Sequence, residues 1–326
     1  MSGSISSPTF SMVSPIPGSE PVKGGSMDQT LPAASSPMGR FRAPRVRVAT
    51  LNRLGVRGLG GGGIVLLIAT AALVAPLLRL PDPTAVNLAT RQLPPLTPGH
   101  PLGTDMFGRD LLSRVLWGGR LSLSVGLAAA LIASTVGSSL GILAGYLEGP
   151  LSAFIMRVID GMLAFPSILL AIVVVAVLGP SLANALVAIA IASIPFYARM
   201  VRGAVLSVAT QDYILAAVGI GESTGQIMAR HVLPNVLSPI LVTMSSHIGW
   251  VVIEVAGLNF LGLGAQPPSP EWGAMIAESR QYVSLAPYMV LVPAGVVTLV
   301  GVCFSLLGDA ARDALDPATR VGHQGF

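Results

Sequence analysis

The sequence predicts an all-α, polytopic membrane protein with six transmembrane helices. Six apolar runs are spaced along its 326 residues, each near the ~20 residues that a spanning helix needs. Only 10% of the residues are charged and 52% are hydrophobic, whereas soluble domains carry about 25% charged residues. The mean hydropathy is +0.74.

Residues 1–57 read as a disordered, basic cytoplasmic tail. They are rich in Ser, Pro and Gly with little apolar periodicity, a composition that cannot bury a core. Arg40, Arg42, Arg45, Arg47, Arg53 and Arg57 precede the first apolar run, and the positive-inside rule then keeps the N-terminus in the cytoplasm. The sequence pI near 9.7 does not imply nucleic acid, because these arginines gather beside a membrane span rather than with aromatics on a folded surface. The first long apolar run lies too far in for a secretory signal.

The apolar runs cover about 61–78, 121–147, 154–178, 182–197, 236–258 and 288–307. The expected division is a first transmembrane helix within 58–80, an external segment at 81–120, a core of five helices at 121–308, and a cytoplasmic C-terminal tail at 309–326. Alternation from a cytoplasmic N-terminus places residues 212–235 inside and 262–287 outside, with both termini cytoplasmic. Pro76 falls late in the first run, where a kink is tolerated. In the second run Gly137, Gly141 and Gly145 stand four apart, after Ala133. That nearly bare face lets another helix approach closely, and a helix of the same chain is favoured over another subunit. Cys303, the single cysteine, excludes an internal disulfide and reads as packing.

Between the runs, residues 212–235 read as two short helices. Asp212 is expected to cap the first, Gly221 to turn the chain, Glu222-Ser223-Thr224 to restart a helix and Pro234 to end it. At 100–110, Thr104 and Asp105 are expected to cap a helix start, with Arg109 and Asp110 paired to neighbouring charges. His100 lacks a second well-spaced histidine and reads as structural, so no metal site is assigned. Arg157 and Asp160, three apart, are expected to pair locally. Inside the membrane, His247 and Glu254 lie seven apart and so nearly on one helix face. They are candidates for a translocation path. The competing reading places Glu254 near the outer interface, paired or wet, with His247 bonded to a serine of an adjacent helix.

Ala216-Ala217, three residues, Gly221, eleven residues, and Leu233-Pro234 resemble the EAA loop of ABC-importer permeases. Residues 100–114, 160–167, 260–273 and 308–317 resemble, in order, stretches of the C-type permeases of dipeptide, oligopeptide and nickel importers. Leu215 replaces the acid that names the loop, and Val218 stands where a base is often found. The resemblance covers 100–317, about two-thirds of the chain.

The resemblance implies a type I ABC-importer permease in the bacterial inner membrane, with Leu215, Ala216, Ala217, Gly221, Leu233 and Pro234 in an ATPase-coupling loop. Implied partners are two ATP-binding subunits, a second and different permease subunit, and an extracytoplasmic solute-binding protein, besides membrane lipid. The expected function is import of a peptide-like solute, with nickel or another small solute as the alternative. No cofactor is implied. The chain lacks a phosphate-binding Gly-x-x-x-x-Gly-Lys-Ser/Thr loop, so ATP is hydrolysed elsewhere and the chain is not itself an enzyme. An ion channel is disfavoured because no stretch reads as a selectivity filter or charged ring. An intramembrane enzyme is disfavoured too. His-Glu-x-x-His is missing, and Gly221-Glu222-Ser223-Thr224-Gly225, which fits a hydrolase nucleophile elbow, follows helix rather than strand.

Overall fold

The computed structural model describes residues 55–315. Of the tail expected at 1–57, residues 1–54, with Arg40 to Arg53, lie outside the described residues, as does the stretch after Leu315.

Ten α-helices make up the described part, with no strand among them. The first, α1 (Gly55–Val74), ends in a 3-10 turn, Ala75–Leu77, that carries Pro76 in its first positions. The second, α2 (Leu111–Tyr146), starts ten residues before the expected run. Thr104 and Asp105 do not cap it; Asp110 does, accepting the Ser113 N–H at 2.7 Å. Ser113, Arg114, Gly118, Gly119 and Arg120 interrupt the apolar residues of its first turns, and Ser113 and Arg114 are buried under the flanking segments.

The third apolar run is not one straight helix. It is split into α3 (Pro150–Leu163) and α4 (Ser167–Leu178), which meet at 95°. Pro166 accounts for the break: it has no N–H to donate and biases Phe165 away from helical backbone. Five helices are therefore long and apolar enough to span a membrane, and a sixth span exists only if the bent pair counts as one. Asp160 of α3 pairs with Arg199 rather than with Arg157.

Ser181 caps α5 (Leu182–Ala209), which runs twelve residues past the expected end at Tyr197. Next come α6 (Asp212–Gly219) and α7 (Thr224–Ile227), a π-helical turn at Met228–Val232, and α8 (Leu233–Phe260). Glu271 caps α9 (Trp272–Ser279), and α10 (Tyr288–Leu315) continues through residues assigned above to the C-terminal tail.

Close approach between helices depends on glycine. A Cβ on Gly137 would lie 2.6 Å from the Ile194 carbonyl oxygen, and one on Gly141 2.7 Å from that of Ala198. The bare face of α2 is thus filled by α5 of the same chain, as expected. Gly249 of α8 meets Gly301 of α10 in the same way, 2.7 Å from its carbonyl oxygen. A central core built from α2, α4, α5, α8 and α10 includes Ala129, Val175, Ile189, Val252 and Met289. A second, smaller core, comprising Val201, Val205, Ile214, Ala217, Ile227, Val232, Val236 and Ile240, lies under the 212–235 segment.

Candidate functional site

The 212–235 segment is held from within. Ile214 and Ala217, three apart on α6, face the small core with Ile227 and Val232. The opposite side of α6 carries Leu215, 60% exposed, and Val218, 53% exposed, with Ile220 just beyond its end. Ala216 is exposed as well. Of the expected alanine pair, therefore, only Ala216 is free to meet a partner; Ala217 is packed inside the chain. Gln211, not Asp212, occupies the cap of α6, and Asp212 is its first helical residue.

Gly221 turns the chain with φ +84, a left-handed conformation that costs glycine nothing. Ser223 then caps α7 in a reciprocal capping box with Gln226. Glu222 and His231 meet at 2.8 Å across the turn. Leu233 and Pro234 do not end a helix. They open α8, and helix runs unbroken from Thr224 to Phe260. The π turn just before Pro234 explains this, because its wider ring removes the regular i−4 hydrogen bond and carbonyl contact that proline cannot make. Both residues are exposed, flanked in sequence by Val232 and Val236 of the small core.

A second polar group lies within the spans. Glu254, 8% exposed, accepts hydrogen bonds on one carboxylate oxygen from Ser167 Oγ at 2.5 Å and Trp250 Nε1 at 3.0 Å. His247 shares a 3.2 Å hydrogen bond with the Tyr197 hydroxyl and stacks on Phe196, with ring centroids 4.6 Å apart. Its partner is therefore a tyrosine of α5 rather than a serine. The two candidates share α8 but engage different neighbours, α5 for His247 and α4 for Glu254. Trp250 and Phe196 are both substantially exposed, so this stretch of α8 presents aromatic rings beside polar groups. Sequence reasoning missed Trp250, although it stands four before Glu254 and thus on the same face. Nothing in sequence pointed to Ser167, Phe196 or Tyr197.

At the other end of the bundle, buried charges fasten the two long connections together. Arg109 pairs with Asp105 and Glu278, and Arg114 reaches Glu278 at 3.3 Å and Asp105 at 3.6 Å. His100 contacts Asp110 at 2.8 Å, consistent with the structural role expected of it. Glu271 accepts the Ala274 N–H and the Ser122 hydroxyl. Burial nonetheless pushes its carboxyl above the ordinary carboxylate range. The Trp272 indole N–H donates to the Val115 carbonyl at 2.9 Å, locking α9 onto α2.

With this geometry in view, comparison with known proteins is specific. The family described as "Binding-protein-dependent transport system inner membrane component" matches residues 137–321. The dipeptide transport system permease protein DppC of Alkalihalophilus pseudofirmus is 46% identical over 266 residues, covering 82% of this chain and 86% of that protein. The glutathione transport system permease protein GsiD of Shigella flexneri serotype 5b is 52% identical over 218 residues, covering 67% and 72%. A chain of the inward-facing MetNI methionine ABC transporter superposes with TM-score 0.52 at 21% identity, over 63% of this chain and 97% of the solved one; that likeness shows the fold alone. The all-α, type I permease architecture expected from sequence is the one observed. The chain belongs to the binding-protein-dependent transport system inner membrane components, as a permease subunit of an ABC importer whose ATP hydrolysis resides in separate subunits.

Proposed function

We propose that this permease carries a peptide-like solute, delivered by an extracytoplasmic binding protein, and that residues 212–235 couple its movement to ATP hydrolysis. In this reading two ATP-binding subunits dock on the cytoplasmic side, and a second, different permease subunit completes the passage. Leu215, Ala216, Gly221, Leu233 and Pro234 belong to the docking element, with Ala217 supporting it from beneath. The observation that carries this reading is the outward apolar edge of α6. Leu215 and Val218 face away from a core that holds the other side of the same helix. Exposed apolar side chains on a segment that connects two spans, rather than on a span itself, suit a protein contact. The peptide-like solute is supported by the named transport systems of the relatives.

The same reading assigns the passage to the α8 stretch that bears His247, Trp250 and Glu254, because ionisable side chains are rare in spanning helices and mark solute pathways. The orientation rests on the arginine cluster and on alternation of six spans, with the bent α3–α4 pair counted as one.

One labelling experiment tests the arrangement. In a Cys303→Ala background, Leu215→Cys should crosslink to the co-expressed ATP-binding subunit and resist an impermeant thiol reagent added to intact cells. Pro268→Cys should react with that reagent and give no such crosslink. Labelling of position 215 from outside would overturn both the orientation and the docking role.

A further inference from the structure

The α1–α2 contact encloses a feature unrelated to coupling. The two helices touch where a Cβ on Gly119 would sit 3.0 Å from the Ala72 Cβ. Beside this contact lies a cleft of about 1090 Å³. Its walls are apolar side chains of the two spans, including Leu73 and Leu127, both exposed. Arg120, Trp117 and Asp82 also line it and supply its polar groups.

Each of these charges is held in place by a neutral neighbour, and among the described residues neither has a counter-ion. The Arg120 guanidinium lies over the Trp117 ring, 5.2 Å from its centroid. Among the described residues no carboxylate forms an ion pair with it. The Asp82 carboxylate accepts from the Thr84 N–H at 2.8 Å and its hydroxyl at 2.6 Å, and it too has no cation partner among those pairs. One oriented cation and one oriented anion thus line an apolar cleft, Asp82 just beyond the end of α1 and Arg120 where the long apolar run of α2 begins. Tryptophan and arginine at the ends of spans are the side chains that face lipid headgroups.

We propose that this cleft binds one aminophospholipid, with its phosphate on Arg120, its primary ammonium on Asp82 and its acyl chains along the α1–α2 walls. Guanidinium and phosphate form charge-assisted hydrogen bonds. A primary ammonium donates to a carboxylate in a way that a choline headgroup, with no N–H, cannot. A phosphatidylglycerol headgroup would offer Arg120 the same phosphate but give Asp82 only neutral hydroxyl donors, without the charge of an ammonium. The complementarity therefore selects a zwitterion with N–H donors.

The test uses the assembled importer complex, purified in detergent, stripped of lipid and titrated separately with phosphatidylethanolamine, phosphatidylcholine and phosphatidylglycerol under native mass spectrometry. The expected result is one phosphatidylethanolamine bound about tenfold more tightly than phosphatidylcholine, as one charged hydrogen bond implies. Asp82→Asn should erase that preference while phosphatidylcholine still binds. Arg120→Gln should weaken all three lipids, and Leu127→Trp should exclude them by filling the cleft. Equal uptake of phosphatidylethanolamine and phosphatidylcholine by the unaltered complex would overturn the proposal, as would tightest binding of phosphatidylglycerol. Loss of the second permease subunit from the Arg120→Gln complex would mean that a protein covers the cleft, and would overturn it equally. None of these readouts depends on transport, so the coupling role of residues 212–235 stands or falls separately.

Discussion

Glu254 of α8 accepts a hydrogen bond from Ser167, the residue with which α4 begins after the 95° bend. One oxygen of a buried carboxylate therefore fastens the broken helix to the central one, and Trp250 donates to the same oxygen. A charge in a span is tolerated when neighbouring groups and a polar route compensate for its lost hydration. Two neutral donors converge here, and among the described residues no cation pairs with the acid. Glu254 thus has a holding role in the fold, distinct from the role in the passage proposed for it above.

These two roles separate by substitution. Glu254→Gln keeps an oxygen acceptor for Ser167 and Trp250 but removes the charge, so the complex should assemble and hydrolyse ATP at its basal rate while solute uptake falls. Glu254→Ala strands both donors, at a cost of about 1–3 kcal/mol, and should lower the thermal midpoint of the purified complex. Uptake by Glu254→Gln equal to that of the unaltered protein, at limiting and saturating solute, would leave only the holding role.

The buried position of Ala217 changes what a bulky residue in the loop would mean. Ala217→Trp overpacks the small core beside Ile214 and Val232, and should reduce assembly rather than only coupling. Leu215→Asp touches that core nowhere. It should leave membrane insertion and stability intact while reducing capture of the ATP-binding subunits in pull-downs and lowering solute-stimulated ATP hydrolysis. Gly221→Val forces a β-branched residue to a φ of +84, which such residues scarcely adopt, and should uncouple hydrolysis from uptake. Normal uptake in both Leu215→Asp and Gly221→Val would reduce the segment to an ordinary connection.

The charge cluster at the opposite end predicts a loss of stability with no direct effect on the passage. Arg109 is 2% exposed and serves Asp105 and Glu278 together. Arg109→Met leaves two carboxylates buried near each other with only Arg114 to balance them. Breaking a buried pair from one side costs about 3–5 kcal/mol. The purified complex should unfold at a markedly lower temperature, and Arg109→Lys should restore part of the loss. An unchanged midpoint for Arg109→Met would show that solvent reaches the cluster.

Legibility in sequence followed the range of the interaction. The spans were readable because hydropathy is local, and so was the turn at Gly221, followed by a Ser223–Gln226 box written in adjacent residues. The bend at Pro166 carried a local signal too. It was masked because apolar residues continue on both sides of the proline, and hydropathy is blind to a change of direction. The inward side of α6 was equally present as the i, i+3 pair Ile214 and Ala217, yet the motif drew attention to the alanines as neighbours in sequence rather than on opposite faces. Asp160 with Arg199, Glu254 with Ser167, and Arg109 with Glu278 join residues far apart in the chain. Nothing local specifies such partners, and a nearer charge, as with Arg157, misleads.

The glycines of α2 allow a sharp test of the bundle itself. A Cβ at position 141 would lie 2.7 Å from the Ala198 carbonyl oxygen and 2.8 Å from the Val201 Cβ. The first of these is backbone of a packed helix, so relief requires α2 and α5 to move apart rather than a side chain to turn. Gly203 on α5 has open space where its Cβ would stand, and alanine there gains helix propensity of up to about 1 kcal/mol. Gly141→Leu should therefore abolish accumulation of the folded permease in the membrane, Gly141→Ala should lower it by an intermediate amount, and Gly203→Ala should be neutral or stabilising. Expression level and thermal midpoint, measured in the same membranes, distinguish these outcomes. Normal accumulation of Gly141→Leu would mean that α2 and α5 do not meet along this face, and the helix arrangement that positions α8 and the coupling segment would have to be redrawn.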